Sequence, residues 1–200
     1  VIDLPTDLPA ELVPLSWLIG VWEGSGVIDY EADGIHFAGE FAHRVSFSHD
    51  GGAYLNYSAS AWLIGEDGEQ RPLLAEMGYW RLARDAAASD PGPALLPASA
   101  PAVVRTADDV EKLRTPEGGF GIEVSLVRAD GVCELYIGQA TGPRIDIATD
   151  AVVRTAGAKP YAAATRMYGL VDSHLLWAWD IAALGSGLAS HASARLAKAD

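Results

Sequence analysis

From Trp22 onward the chain alternates apolar and polar residues in short runs rich in Val, Ile, Tyr, Trp and Thr. Turn dipeptides separate the runs: Asp33-Gly34, Asp50-Gly51, Asp67-Gly68, Asp130-Gly131 and Gly142-Pro143. A two-residue period is that of a strand with one dry face and one wet face. Ile145, Ile147, Thr149, Ala151 and Val153 share one face, with Asp146 and Asp150 opposite; Leu175, Trp177, Trp179 and Ile181 share another, with His174 and Asp180 opposite. The pattern predicts about ten antiparallel strands, roughly 17–30, 36–48, 52–63, 73–83, 120–129, 132–140, 143–153, 161–170, 174–183 and 188–197. Ahead of them Leu8, Leu12, Leu15, Leu18 and Ile19 recur at helical spacing. Pro9 suits a first helical turn, and Pro14 interrupts or restarts the helix.

An even meander closes most simply into an up-and-down barrel, because closure leaves no open edge strand. The expected fold is therefore all-β, a ten-stranded antiparallel up-and-down barrel with a short N-terminal helix, in one domain over residues 1–200. A barrel of that width is not filled by its own side chains, so an internal ligand cavity is expected. Residues 84–119 break the pattern, since 86–102 is almost wholly Ala, Pro, Ser, Asp and Gly. This stretch reads as a mobile hairpin insertion outside the core, with one short helical turn at Asp108–Arg114.

Charge and composition narrow the partners. A net charge of −13 repels phosphate backbones and anionic lipid, so nucleic acid and membrane surfaces are excluded in favour of small molecules or proteins. A homodimer remains open. The lone Cys133 forms no intramolecular disulfide, and no Cys/His zinc spacing occurs, which fits a reducing compartment. No apolar run approaches the roughly 20 residues that span a bilayer, and no signal-peptide pattern opens the chain, so a cytoplasmic location is expected.

Few residues offer chemistry. Gly20-x-Trp22-x-Gly24-x-Gly26 places small residues where a strand bends against a close neighbour, with Trp22 filling the closed end. A strand follows it, not a helix, so it is no phosphate loop. Lipocalins and fatty-acid-binding proteins tend to open on such a Gly-Trp pair. His43 and His49 on one strand would stand roughly 20 Å apart, too far to share an ion, so they and His36 read as surface or internally satisfied histidines. Glu76 lies in a strongly apolar strand; a solvent-facing carboxylate is the commoner outcome, and a buried partner or a ligand contact is the alternative. Ser-His-Asp spacing, Cys-His pairs and carboxylate pairs are lacking. His191 remains. Alternation puts Leu188, Ser190, Ala192, Ala194 and Leu196 on one side and Ala189, His191, Ser193 and Arg195 on the other, so periodicity alone gives no reason to bury it. An imidazole at a barrel mouth can nevertheless ligate iron.

Taken in order, these elements resemble the nitrobindin family of small haem-binding β-barrels, described in bacteria as peroxynitrite isomerases. The resemblance rests on Gly20-x-Trp22-x-Gly24-x-Gly26 followed by Tyr30, Glu76-Met77-Gly78-Tyr79-Trp80-Arg81, the hairpin Gly131 to Gly138, Arg154 to Lys159, and Asp180 to Gly185 leading to His191-x-x-Ala194-x-Leu196. It implies haem b ligated by His191, nitric oxide as a ligand, and isomerisation of peroxynitrite to nitrate at ferric haem. It also implies that Lys159 faces a haem propionate and that Leu74, Ile181 and Ala32 line the cofactor. The chain departs from the family there: Glu31-Ala32 replaces Pro-Thr after Tyr30, Leu74 stands where some members carry histidine, and Ile181 replaces a common methionine. All three changes make the pocket more apolar. Two competing expectations are a haem-free intracellular carrier of a fatty acid or other hydrophobe, and a sensor whose 84–119 insertion docks a protein.

Overall fold

The strands close into the expected barrel. The computed structural model describes residues 8–32 and 34–199. Its strands are β1 (Gly20–Ala32), β2 (Ile35–Ser48), β3 (Leu55–Ile64), β4 (Gln70–Leu82), β5 (Phe120–Arg128), β6 (Val132–Thr141), β7 (Arg144–Arg154), β8 (Tyr161–Val171), β9 (His174–Ala183) and β10 (Ala189–Lys198). Each pairs antiparallel with its sequence neighbours, and β10 returns beside β1, in register from Trp22↔Lys198 to Ile28↔Ala192. Hairpin turns use glycine where the backbone turns left-handed, as at Gly131 (φ 87°) and Gly142 (φ 55°).

One end is sealed by the N-terminal helix. Residues Ala10–Leu18 form a 3-10 helix with Pro14 inside it, so the first strand begins at Gly20, three residues later than the expected 17. A three-residue turn suits Leu12, Leu15 and Leu18, which stack on one line and are completely buried. The indole of Trp22 joins strand to helix by donating Nε1–H to the Leu18 carbonyl at 2.7 Å. Above this plug, Trp80 packs edge-on against Phe47 and Tyr168, with ring centroids 5.4 and 5.1 Å away.

The segment between β4 and β5 leaves and re-enters the barrel at this same sealed end. It carries one helix, α1 (Ala107–Glu111), capped reciprocally by Thr106 and Asp109. Against expectation it adds to the core: Val110 is buried among the core residues, and α1 packs on the 3-10 helix. Arg84 ties the start of the segment down by pairing with Glu11 and, at 2.6 Å, with Asp90. Composition hides this, because a single valine anchors an otherwise polar turn. Among the described residues no helix is long and apolar enough to cross a membrane.

Candidate functional site

The opposite end of the barrel is open and holds a cavity of about 450 Å³. That falls within the ~300–1,000 Å³ usual for small-molecule sites. Its walls come from strand ends at the mouth: Tyr30 of β1, Phe37 of β2, Leu74 of β4, Arg128 of β5, Trp179 and Ile181 of β9, and His191 of β10.

His191 enters this wall through a break in alternation. The pairing of β10 with β9 shifts between Ser190 and Ala192, so His191 is the extra residue of a bulge. A bulge re-aims a side chain, and His191 and its neighbour Ala192 both line the cavity. The Tyr30 ring lies against the imidazole at 4.5 Å, and Trp179 meets it edge-on at 5.3 Å. Nδ1 is buried without a hydrogen-bond partner, which leaves Nε2 as the nitrogen available to a ligand. Burial, and then the charge of Arg128, hold the imidazole pKa down at about 4. The ring is therefore neutral at pH 7, the form that ligates metal.

The glycine motif sets the position of that strand. Gly24 and Gly26 lie opposite Leu196 and Ala194 of β10. A Cβ on Gly24 would strike the Arg195 carbonyl oxygen, and one on Gly26 would strike the Ser193 carbonyl oxygen and the Phe41 ring. The close neighbour inferred from the sequence is thus the last strand itself, and the motif draws the His191-bearing strand onto the first.

Beneath the cavity lies a buried ionic layer. Glu76 is not a solvent-facing carboxylate: it is 5% exposed and takes both ends of the Arg166 guanidinium, at 2.5 and 2.9 Å, with the Tyr57 hydroxyl donating at 2.7 Å. Glu134 accepts from the hydroxyls of Tyr136 and Tyr161, each at 2.6 Å, and from Arg166 at 3.4 Å. Burial alone would raise the Glu76 pKa, but Arg166 outweighs it and holds the carboxyl below its usual value. Alternation places both glutamates inward in phase with Trp80 and Tyr136, and the buried partner, the less common outcome for a carboxylate, is the one found for Glu76. Of the two outcomes expected for it, His43 takes the internal one. It is 2% exposed, its Nδ1–H donates to the Ser60 carbonyl at 3.0 Å, and burial lowers its pKa to about 4. His36 stays outside, paired with Asp29 at 2.9 Å, and His49 follows β2 at the sealed end.

Of the residues expected to line a cofactor, Leu74 and Ile181 lie in the cavity wall and Lys159 stands exposed at its rim. Ala32 ends β1, and its side chain lies outside the described residues. Sequence reasoning missed Arg128, Tyr161 and Trp179 in the wall and Glu134 and Arg166 below it. The signal was available: Arg128 continues the inward series Ile122, Val124, Leu126, and Arg166 lies in phase with the inward residues Ala164 and Tyr168.

An apolar mouth, one neutral imidazole with an available nitrogen and basic side chains around it make a receptacle for a broad apolar ligand that carries a metal and acidic edges. That donor set and cavity fit haem, and they define a haem-binding β-barrel. The chain belongs to the THAP4-like haem-binding β-barrel family, the nitrobindins: the family model described as "THAP4-like, heme-binding beta-barrel domain" matches residues 11–198. It is 63% identical to a protein named peroxynitrite isomerase from Leifsonia xyli subsp. xyli, over 100% of both chains. It is 57% identical to a protein of the same name from Clavibacter michiganensis subsp. michiganensis, again over 100% of both. The crystal structure of Rv2717c from M. tuberculosis shares the fold, with a TM-score of 0.67 at 23% identity over 99% of this chain and 100% of that one.

Proposed function

We propose that this chain is a peroxynitrite isomerase in which His191 would hold the iron of haem b at the open end of the barrel, and that it also binds nitric oxide. The observation that carries the assignment of His191 is its bulged position: a neutral imidazole in the cavity wall with Nε2 free. Haem supplies, when bound, the electron-poor iron centre that rearrangement of a peroxide anion to nitrate requires.

The chain's own residues do the rest. Tyr30 and Trp179 fix the plane of the imidazole from two sides. Its Nδ1–H has no acceptor, so the ring acts as a neutral donor and is not drawn toward imidazolate. Leu74, Ile181 and Phe37 keep the wall apolar and limit competing water. Lys159 at the rim is placed to meet a haem carboxylate. A haem-free carrier would have no use for an imidazole on a bulge.

The same reading covers the rest of the molecule. The barrel works as one cytoplasmic domain, and the 84–119 insertion, at the far end, takes no part in the site. A second copy of the chain is the proposed partner of the outer wall, where Met77, Val127, Cys133 and Val153 align in register across β4 to β7 and are all exposed.

Haemin titration tests the assignment. Wild type should develop one Soret band per chain, and His191→Ala should lose that band or shift it. Stopped-flow mixing with peroxynitrite should then give faster decay and more nitrate than buffer or the variant. Haem uptake that is identical in wild type and His191→Ala would remove His191 from the site.

A further inference from the structure

The cavity wall holds more hydrogen-bond donors than the protein can satisfy. Nε and Nη1 of Arg128 are buried without a partner, and so are the indole Nε1–H groups of Trp177 and Trp179, all three residues lining the cavity. They are contiguous: the Arg128 guanidinium lies 4.8 Å from the Tyr161 ring and 5.4 Å from the Trp179 ring, and the two indoles are 5.9 Å apart.

The nearby acceptors are already engaged. Asp130, half exposed, takes only Nη2 of Arg128, at 2.5 Å. Glu76, directly across the β4–β5 pair from Arg128, gives its oxygens to Arg166 and Tyr57. Glu134 gives its oxygens to Tyr136, Tyr161 and Arg166. A guanidinium keeps its charge at any working pH. Buried indoles without acceptors also occur away from the cavity, at Trp17 and Trp80, but among the described residues only those of Trp177 and Trp179, with Arg128, line a space that a ligand can enter. Asp130 also lines the cavity, on the half-exposed side where it holds Nη2, so an entering anion meets the free Nε and Nη1 of Arg128 on the buried side, away from that carboxylate.

We infer that Arg128, with the indole N–H groups of Trp177 and Trp179, forms an oxyanion-binding site inside the barrel mouth that takes a small planar anion of the nitrate type. The inference rests on the proposed function in one respect: there, the anion is the substrate before rearrangement and the nitrate after it. Arg128 acts as a binding residue, drawing the anion past an acidic surface and holding it within the cavity. With Nη2 held by Asp130, Nε and Nη1 each offer a separate charged N–H to an oxyanion, and the two indoles supply further donors. A haem carboxylate offers the same chemistry, and the experiment separates the two.

The first measurement uses the haem-free chain. Nitrate quenches indole emission on contact, so nitrate held between Arg128 and Trp179 should quench a fraction of the emission saturably in wild type. In Arg128→Gln that fraction should be lost, leaving linear quenching. The second measurement uses the ferric haem-loaded chain, titrated with azide and with neutral imidazole by Soret shift. Arg128→Gln should weaken azide about tenfold, as expected for loss of a charged hydrogen-bond donor, and leave imidazole within about twofold. Arg128→Lys keeps the charge and should recover most of the azide affinity, which also guards against a folding defect in the first variant.

Equal losses for azide and imidazole, no loss for either, or no recovery with lysine would overturn the inference. Weaker haem uptake with an unchanged azide-to-imidazole ratio would overturn it in favour of a haem carboxylate on Arg128. Should wild type take up no haem, the proposed function fails, while nitrate quenching still decides the anion site by itself.

Discussion

Two arginines enter the interior of this barrel, and their surroundings differ. Arg166, completely buried, is matched group for group by Glu76, Glu134 and Tyr136. Arg128, at the mouth, has one carboxylate partner at the solvent edge and two donors with none. The first arrangement is a closed network, and closed networks fix a fold. The second is incomplete, and incompleteness beside a cavity marks a site. The two interior histidines differ less sharply: His43 is tied through Nδ1 to a β3 carbonyl and leaves only its buried Nε2 without a partner, whereas His191 has neither nitrogen engaged among the described residues.

The sharpest way to break that comparison is to remove each arginine in turn. Arg166→Met strands two buried carboxylates and should destabilise the fold by about 3–5 kcal/mol. Arg128→Met leaves behind only a half-exposed Asp130 and should cost less than about 1 kcal/mol. Urea denaturation of the haem-free chains measures both. Similar losses would mean that Arg128 is as structural as Arg166.

Acid should act on the histidines next. His43 has a pKa of about 4 in the folded chain against an ordinary 6.5, so between those values the unfolded chain binds more protons. Stability is then full above about pH 6.5 and falls as the pH drops toward 4, by about 3 kcal/mol in all at ~1.4 kcal/mol per unit. His191 titrates in the same direction from a less buried position. His43→Phe, which keeps an aromatic ring against Trp177, should remove about half of the slope between pH 6.5 and 4 and leave the part due to His191, as denaturation midpoints across that range would record. Haem retention should hold level above about pH 5 and weaken only as the pH falls below about 4, where a proton begins to compete for His191.

The barrel itself was legible in the sequence because two-residue periodicity is a property of each strand alone. All ten strands overlap their expected ranges. What alternation could not show was its own interruption: nothing in Ser190-His191-Ala192 announces a bulge, so His191 fell on the outward face until its pairing with β9 was known. Glu76, Glu134 and Arg166 failed for a different reason. Each was visibly in phase with inward residues, but a buried charge is credible only with its partner. The partners lie 32 to 90 residues apart in the chain, so closure of the barrel brings them together. The family resemblance supplied His191 where local reasoning could not, and it was silent about Arg128.

Substitution at the glycine motif tests whether sealed end and mouth are mechanically joined. Gly26→Ala places a methyl against the Ser193 carbonyl and the Phe41 ring, and Phe41 lines the cavity. Overpacking of this kind costs about 1–3 kcal/mol, and because β10 must shift to relieve it, haem uptake should weaken as well. Gly157→Ala, where an added Cβ meets nothing within 4 Å, serves as the control and should change neither. Loss of stability with unaltered haem uptake would confine the motif to packing.

The smallest effect should come from Lys159, and it sharpens the contrast within the mouth. Lys159 and Arg128 both line the cavity, but Lys159 is exposed and its ammonium remains hydrated, whereas the Arg128 side chain is only 11% exposed. An exposed cation meeting a carboxylate contributes at most about 1 kcal/mol and is screened by salt. Lys159→Ala should therefore weaken haem binding by less than about fivefold at low ionic strength, and the difference should vanish near 0.5 M salt. The azide affinity lost in Arg128→Gln should persist at that salt, since a buried donor is screened far less. Matching salt dependence for the two variants would place both cations at the rim and leave the interior of the mouth without an anion site.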